Sequence, residues 1–282
     1  MNSKIKIEKG EIIEKIFINN VKNYSQLDIL LLKIYIKFSN INRKKFIHHG
    51  DFLIDQNTSL KNFISIITEP SNIINKMTII EGWSFLELDN ELSIYFNDHI
   101  TIPYEEIIAD TYYFKKGNKF KQFYKNLKNF KNKYFFKYQE NKLLKKYSIN
   151  EIMIIGSLIE KEGLDSEDKK KIASVIFNRL DNKMKLQLDA TVIYSLTNGK
   201  YNLDRKLLLK DLKLNHPFNT YQIYGLPPKP ISYVGKETID IIFEHSKTDF
   251  LFYFFNKSLN KHIFSKNFED HKIKLNEYRN KK

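Results

Sequence analysis

Ser148 to Gly163 reads SINEIMIIGSLIEKEG, the pattern of a helix with a defined start and a defined stop. Ser148 and Glu151 fit a capping box, in which hydroxyl and carboxylate each satisfy an orphan backbone N–H. Gly163 stands where a left-handed C-terminal cap is expected. Ile152, Ile155 and Ile159 recur at helical spacing with Leu158 beside them, and define an apolar face. Glu162 follows Ile159 by three residues and Leu158 by four, so it falls on that face. Glu160 lies about 200° away, on the more polar side. Burial and the negative end of the helix dipole both disfavour the ionised form of Glu162. A raised pKa is what a general acid at neutral pH requires. A solvated helix-end glutamate is the plainer reading of Glu162, and Glu160 is the rival acid.

Downstream, a second helix is expected over Glu167 to Leu180, capped by Ser166 or Asp165. Ile172, Val175, Ile176 and Leu180 form its buried face. Asn178 and Arg179 sit near its end, and Arg179 leans onto the apolar side. A buried guanidinium calls for a carboxylate or bidentate acceptor; an Arg snorkelling past the core edge fits the spacing equally well. In LQLDATVIYSL, 186–196, Asp189 is placed as the N-cap of a short helix, with pairing to Arg179 as its second role. NHPFNTYQIYGLPPKPIS, 215–232, holds four of the six prolines. Such a segment is excluded from sheet interior and is expected at the rim of a cleft. A helix (KETIDIIFEHS), two strands (FLFYFF and HIFS) and a last helix follow.

Upstream, residues 1–75 read as a mixed α/β region. SKIKIEKG is an alternating strand, EIIEKIFINNV a helix, and Gln26 to Lys37 a second helix. HGDFLIDQNTSLKNFISIIT gives a strand, a turn and a helix capped near Thr58 or Ser59. Residues 76–118 then give a strand (MTIIEG), a helix and the strand-and-turn ADTYYFKKG, a βα unit of the kind found in LysM modules. The basic run 119–147 carries Phe120, Phe123, Tyr124, Leu127 and Phe130 at helical spacing, which predicts an amphipathic helix. The expected class is α+β, with this N-terminal α/β region, the LysM-like module, and a helix-rich domain with a small sheet over 119–282.

Composition narrows the functional classes. The chain has no cysteine, which excludes a disulfide framework and thiolate metal sites. Its net charge of +14 comes mostly from lysines spread along the chain. A phosphate-binding surface would more often show Arg clusters or a local stripe, so specific nucleic-acid binding is not expected. His245, His262 and His271 fit no metal-ligand spacing, and no metal or other cofactor is expected. No run reaches the ~18 apolar residues of a membrane span, and MNSKIKIEKG lacks the apolar region of a signal peptide.

The ordered segments SLIEKEG, ASVIFNRL, LQLDATVIYSL, FNTYQIYGLPPKPI, EHSKTDFLFYFF and HIFSKNFEDH resemble the endolytic murein transglycosylases, the MltG or YceG-like family. IEKGEIIEKI, MTIIEGWSFLEL and ADTYYFKKG extend the resemblance over nearly the whole chain. Leu188 and Ala190 depart from it, since the family usually shows Thr and Pro there; Phe218 stands where Tyr is usual. Most members begin with a membrane-spanning helix, so either this sequence is short at its start or the protein reaches its substrate by another route.

The resemblance implies cleavage of the β-1,4 bond between N-acetylmuramic acid and N-acetylglucosamine in peptidoglycan, with a 1,6-anhydro product. One carboxyl then suffices, where an ordinary glycosidase needs two. Glu162 is the expected acid and base. Gln187, Asn219, Thr220 and Tyr221 are expected at the sugar. Glu160, Asn178, Arg179, Asp189, Tyr194, His262 and Phe264 are expected as supports. Glycan strands are the implied partner, with peptidoglycan synthases beside them at the outer face of the inner membrane. The competing reading is a non-catalytic peptidoglycan-binding scaffold.

Overall fold

The computed structural model describes residues 2–8, 10–42, 46–69, 71–244 and 247–280. These group into two compact units, Met1–Met77 with Tyr112–Phe123, and Thr78–Thr111 with Tyr124–Lys282. The expected module of 76–118 is therefore divided between the two units rather than standing as a body of its own.

In the first unit, β1 (Asn2–Ile7) pairs antiparallel with β2 (Gly50–Asp55), from Asn2↔Asp55 to Ile7↔Gly50. Period-two alternation turns Ile5, Ile7, Phe52 and Ile54 inward. They meet Ile13, Ile16 and Phe17 of α1 (Ile13–Asn20), Leu32 of α2 (Gln26–Asn42), and Phe63 and Ile67 of α3 (Leu60–Ile67). Ser59 caps α3 by accepting from the Asn62 N–H. A second pair joins β3 (Ile74–Thr78) to β4 (Thr111–Lys115). β3 ends before most of the MTIIEG stretch expected as a strand. Ile79 still donates to the Asp110 carbonyl, and Gly82 takes a positive φ of 79° at the turn into α4 (Phe85–Ser93).

The second unit is built around α6 (Ile149–Glu162), which follows the basic helix α5 (Phe120–Phe136). Its capping box forms as read, the Ser148 side chain accepting from the Glu151 N–H. Every residue from Ile152 to Ile159 is buried. The helix has no polar side in this stretch, because α7 (Ser166–Asp181), α8 (Asp189–Thr197) and α9 (Lys236–Glu244) all pack on it. Ile172, Ala173, Ile176, Val234, Ile239 and Ile242 complete that core. The hairpin β5 (Phe252–Asn256) and β6 (Lys261–Ser265) runs antiparallel with Phe255 opposite His262, and α10 (Phe268–Asn280) lies against it.

Mixed helices with three two-stranded sheets among the described residues fit the α+β class. Three local expectations are corrected. Gly163 is not left-handed, with φ −78° and ψ 142°. Its glycine is required by space, since a Cβ there would stand 2.4 Å from Lys169 Cγ. Asp189 does not cap α8 but is its first residue. Leu188 occupies the cap and offers no side-chain acceptor. The proline-rich loop is braced rather than merely a rim: the Ile231 N–H donates to Ser157 Oγ at 3.0 Å, and Pro227 and Pro230 are buried.

Candidate active site

At the end of α6, Glu162 faces a cavity of about 280 Å³. Arg179, Gln187, Asp189, Tyr221, Tyr253 and His262 share its wall with Leu186, Leu188, Phe254 and Phe255. That volume is at the small end of ligand pockets and suits one reacting ring rather than a whole strand. Burial, and next the neighbouring Asp189 charge, push the Glu162 carboxyl up from the ordinary 4.5 to about 7. The Ala190 N–H at the start of α8, His262 and the Tyr253 hydroxyl act in the opposite direction. A helix N-terminus thus partly offsets the cost of a buried carboxylate.

A raised carboxyl pKa weakens the fold at high pH. The native state holds the proton more tightly than the unfolded chain does. The stabilisation is full below pH 4.5 and is lost as pH rises to about 7. Glu162→Gln removes this titration, so the variant should gain on the wild type by up to about 3 kcal/mol across that window. Urea unfolding at the two ends of the window measures the gap; a constant gap would deny the buried acid.

Glu160 is not on a polar side. Its side chain is 2% exposed and pairs with Lys169 at 2.7 Å, while its other oxygen accepts the Gly235 N–H at 3.0 Å. Lys169 also donates to Thr238 Oγ1. All of the Glu160 acceptors therefore face fixed partners that tie α6 to α7 and α9. Breaking a buried pair costs about 3–5 kcal/mol. Glu160→Gln keeps an acceptor for Gly235 and should lie at the lower end, with a clear fall in Tm. Turnover by the folded variant should stay within a few-fold of wild type; a loss as deep as that of Glu162→Gln would move the acid to Glu160.

Arg179 finds no carboxylate among the described residues. It donates to the Leu251, Leu186 and Lys185 carbonyls at 2.7, 2.8 and 3.1 Å and reaches Gln187 Oε1 at 3.4 Å. The expected pairing with Asp189 is absent from its partners; Asp189 instead accepts from the Tyr221 hydroxyl at 2.7 Å. Asn178 donates to the Thr248 and Phe250 carbonyls. These two side chains fasten the segment leading into β5 to the end of α7. Gln187 is held in the left-handed region, φ 51°, with its N–H on the Thr220 carbonyl. Strain of this kind persists where the surroundings over-determine it, and here it sits in the cavity wall.

The Asn219-Thr220-Tyr221 segment divides by role. Asn219 is fully buried and donates to the Leu212 and Leu214 carbonyls. Thr220 is fully buried and accepts the Leu188 N–H at 2.9 Å. Both shape the wall from behind, and Tyr221 alone of the three lines the cavity. Tyr194 packs on Phe218 and Tyr104, and Phe264 on Phe250 and, from behind, on Tyr253 of the wall.

Two participants were missed in the sequence. Asp168 is buried and meets His262 Nδ1 at 2.7 Å. An ionised carboxylate only accepts, so Nδ1 carries the proton. Tyr253 stands beside Glu162 in the wall. Asp168 had only a weak signal, three residues after the Asp165 cap; Tyr253 was one aromatic in an aromatic strand. Among the described residues no His, Asp and Glu cluster could hold a metal ion; His245, weighed above as a ligand, lies outside them. No described helix is long and apolar enough to cross a membrane.

A larger cavity of about 660 Å³ is lined by Tyr134, Ser166, Lys170, Lys236, Asp240 and Glu244 among others. Burial pushes its Asp240 up, but hydrogen bonds from Tyr134, Tyr138 and Lys137 outweigh it and hold the carboxyl low. That acid is poised to stay ionised, unlike Glu162 in the smaller cavity.

The YceG-like family matches residues 5–277. The chain belongs to that family. An endolytic murein transglycosylase of Bacillus subtilis is 40% identical over 140 residues, half of this chain and 38% of that relative. One of Streptococcus pneumoniae is 33% identical over 141 residues, 49% of this chain and 25% of that relative. The chain thus spans well under half the length of these relatives. A crystal structure of a YceG-like protein from Listeria monocytogenes shares the fold, with a TM-score of 0.60 and 24% identity, over 97% of this chain and 99% of that one. Ala190 has a backbone N–H that holds the Glu162 carboxyl down; proline, the residue the resemblance implies there, has none.

Proposed function

We propose that this chain is a peptidoglycan lytic transglycosylase that cuts the bond between N-acetylmuramic acid and N-acetylglucosamine within glycan strands. The observation that carries this reading is the Glu162 carboxyl, poised at about 7 against a small cavity. A group with that pKa is an effective acid and, one step later, an effective base. Glu162 gives its proton to the glycosidic oxygen, and the bond from that oxygen to the muramic anomeric carbon breaks. The C6 hydroxyl of the same sugar attacks that carbon, and its proton returns to Glu162. The sugar closes to its 1,6-anhydro form, water is not consumed, and the acid is regenerated. The nucleophile is already attached to the substrate, at high effective concentration.

Gln187 and Tyr221 would contact the sugar, with Asn219 and Thr220 shaping that wall. Asp189, in the same wall as Glu162, would stabilise positive charge at the anomeric carbon. Arg179, Asn178, His262, Glu160, Tyr194 and Phe264 would hold the frame. We further assign residues 76–118 as LysM-like, glycan synthases as partners, the outer face of the inner membrane as the place of action, and limitation of strand length as the outcome.

Asp189 also supports a second reading. Two carboxyls in one cavity are what a hydrolase uses, and that enzyme would leave a reducing end. Incubation of the protein with purified sacculi separates the readings. The lytic reaction releases anhydromuropeptides; reducing ends alone would favour the hydrolase, and unchanged sacculi the scaffold.

A further inference from the structure

We propose that Tyr253 is the positioning residue of the reacting carboxyl, its hydroxyl donating to Glu162 once that group has given up its proton. The inference rests on the assignment of Glu162 made above. Tyr253 lines the cavity from β5, and its hydroxyl is buried without a hydrogen-bond partner among the described residues. Buried phenol hydroxyls nearly always have one. The groups that could serve it are engaged elsewhere. Asp189 accepts from Tyr221, Asp168 accepts from His262 and the Leu164 N–H, and the Arg179 guanidinium points to carbonyls. Glu162 shares the cavity wall with it. The hydroxyl lowers the carboxyl and the carboxyl raises the phenol, although the two do not meet in a full hydrogen-bond geometry. Catalytic hydrogen bonds are commonly loose before substrate binds and tighten during reaction.

The ring itself is held. His262 meets it edge-on at 5.2 Å, and Phe264, its partner across the hairpin, lies at 5.7 Å. The His262 ring is fixed in turn by Asp168. A clamped ring with an idle hydroxyl leaves rotation about the C–O bond as its freedom. In the proposed cycle the phenol keeps its proton throughout. It shares a hydrogen bond with the carboxylate after the glycosidic oxygen is protonated, and releases it when the C6 proton arrives. Asp189 and the Ala190 N–H from α8, Arg179 from α7, His262 from β6 and Tyr221 from the loop also surround the carboxyl, with Asp168 behind His262. None of them is altered by removing one phenolic oxygen.

Tyr253→Phe tests this. The expected result is a kcat about 10- to 100-fold lower with KM close to wild type. The pH–rate limb set by Glu162 should move to higher pH. The infrared carboxyl band that Glu162→Gln abolishes should titrate at higher pH as well. A band that titrates as in wild type overturns the proposal, whatever happens to the rate. Should Tyr253→Phe not fold, site-specific 3-fluorotyrosine, a stronger donor, should move the band to lower pH; an unmoved band is again fatal. Failure of the Glu162 assignment reads differently, as full turnover by Glu162→Gln, and leaves the infrared titration as a direct report on the pair.

Discussion

Glu162→Gln is expected to lower turnover of peptidoglycan by about 10³-fold or more while the protein stays folded. Each proton transfer by a placed side chain contributes about 10²–10⁴-fold, and in the proposed cycle Glu162 makes both. Gln matches the size of Glu and keeps an oxygen to face the Ala190 N–H. It has no proton to give to the glycosidic oxygen at any pH. The variant should therefore bind glycan strands with near-normal affinity and fail at bond cleavage, a loss in kcat rather than KM. Its Tm at pH 8 should equal or exceed that of the wild type, because a desolvated carboxylate has been removed. Rate assays on sacculi together with thermal unfolding check both halves.

Arg179→Met is expected to be the most damaging substitution for stability. Its guanidinium is buried and holds three backbone carbonyls, Lys185, Leu186 and Leu251, from two separate segments. Burial lowers its pKa from the usual arginine value, as desolvation of a cation must. Each acceptor left buried without a donor costs about 1–3 kcal/mol. With some water entering, the total should be about 3–5 kcal/mol. For a unit of this size that is a fall in Tm of about 10 °C. Arg179→Lys should recover only part of it, since one ammonium cannot reproduce the fork. Residual activity should fall further than stability alone requires, because 185–188 carries Gln187 and Leu188 of the cavity wall. Circular dichroism melts of the two variants test the ranking; a Tm within about 2 °C of wild type for Arg179→Met would remove Arg179 from the frame.

What was legible in the sequence was local and periodic. The α6 start was read from Ser148 and Glu151, three residues apart, and the structure forms that box. The lean of Glu162 toward apolar neighbours follows from 3.6-residue geometry alone. Readings failed where the partner is distant in sequence. Glu160 was put on a polar side because it lies about 200° around the helix from Glu162, but Lys169 and Gly235 arrive from α7 and the turn before α9 and enclose it. Gly163 was read for its backbone freedom and is instead needed for the close approach of Lys169. Asp189 looked like a cap because capping is the commonest local use of aspartate; Tyr221, from the proline-rich loop, gives it another use. The Asp168–His262 contact joins positions 94 residues apart, and no helical or strand period reports on such a pair.

The central claim is that one carboxyl moves the proton out and back while the sugar supplies its own nucleophile. Digestion of purified sacculi in H₂¹⁸O, followed by mass spectrometry of the new muramic ends, tests it most directly. The claim requires anhydro ends without ¹⁸O from the wild type, and none from Glu162→Gln. Reducing ends carrying ¹⁸O, or an undiminished yield of anhydro ends from Glu162→Gln, would contradict it.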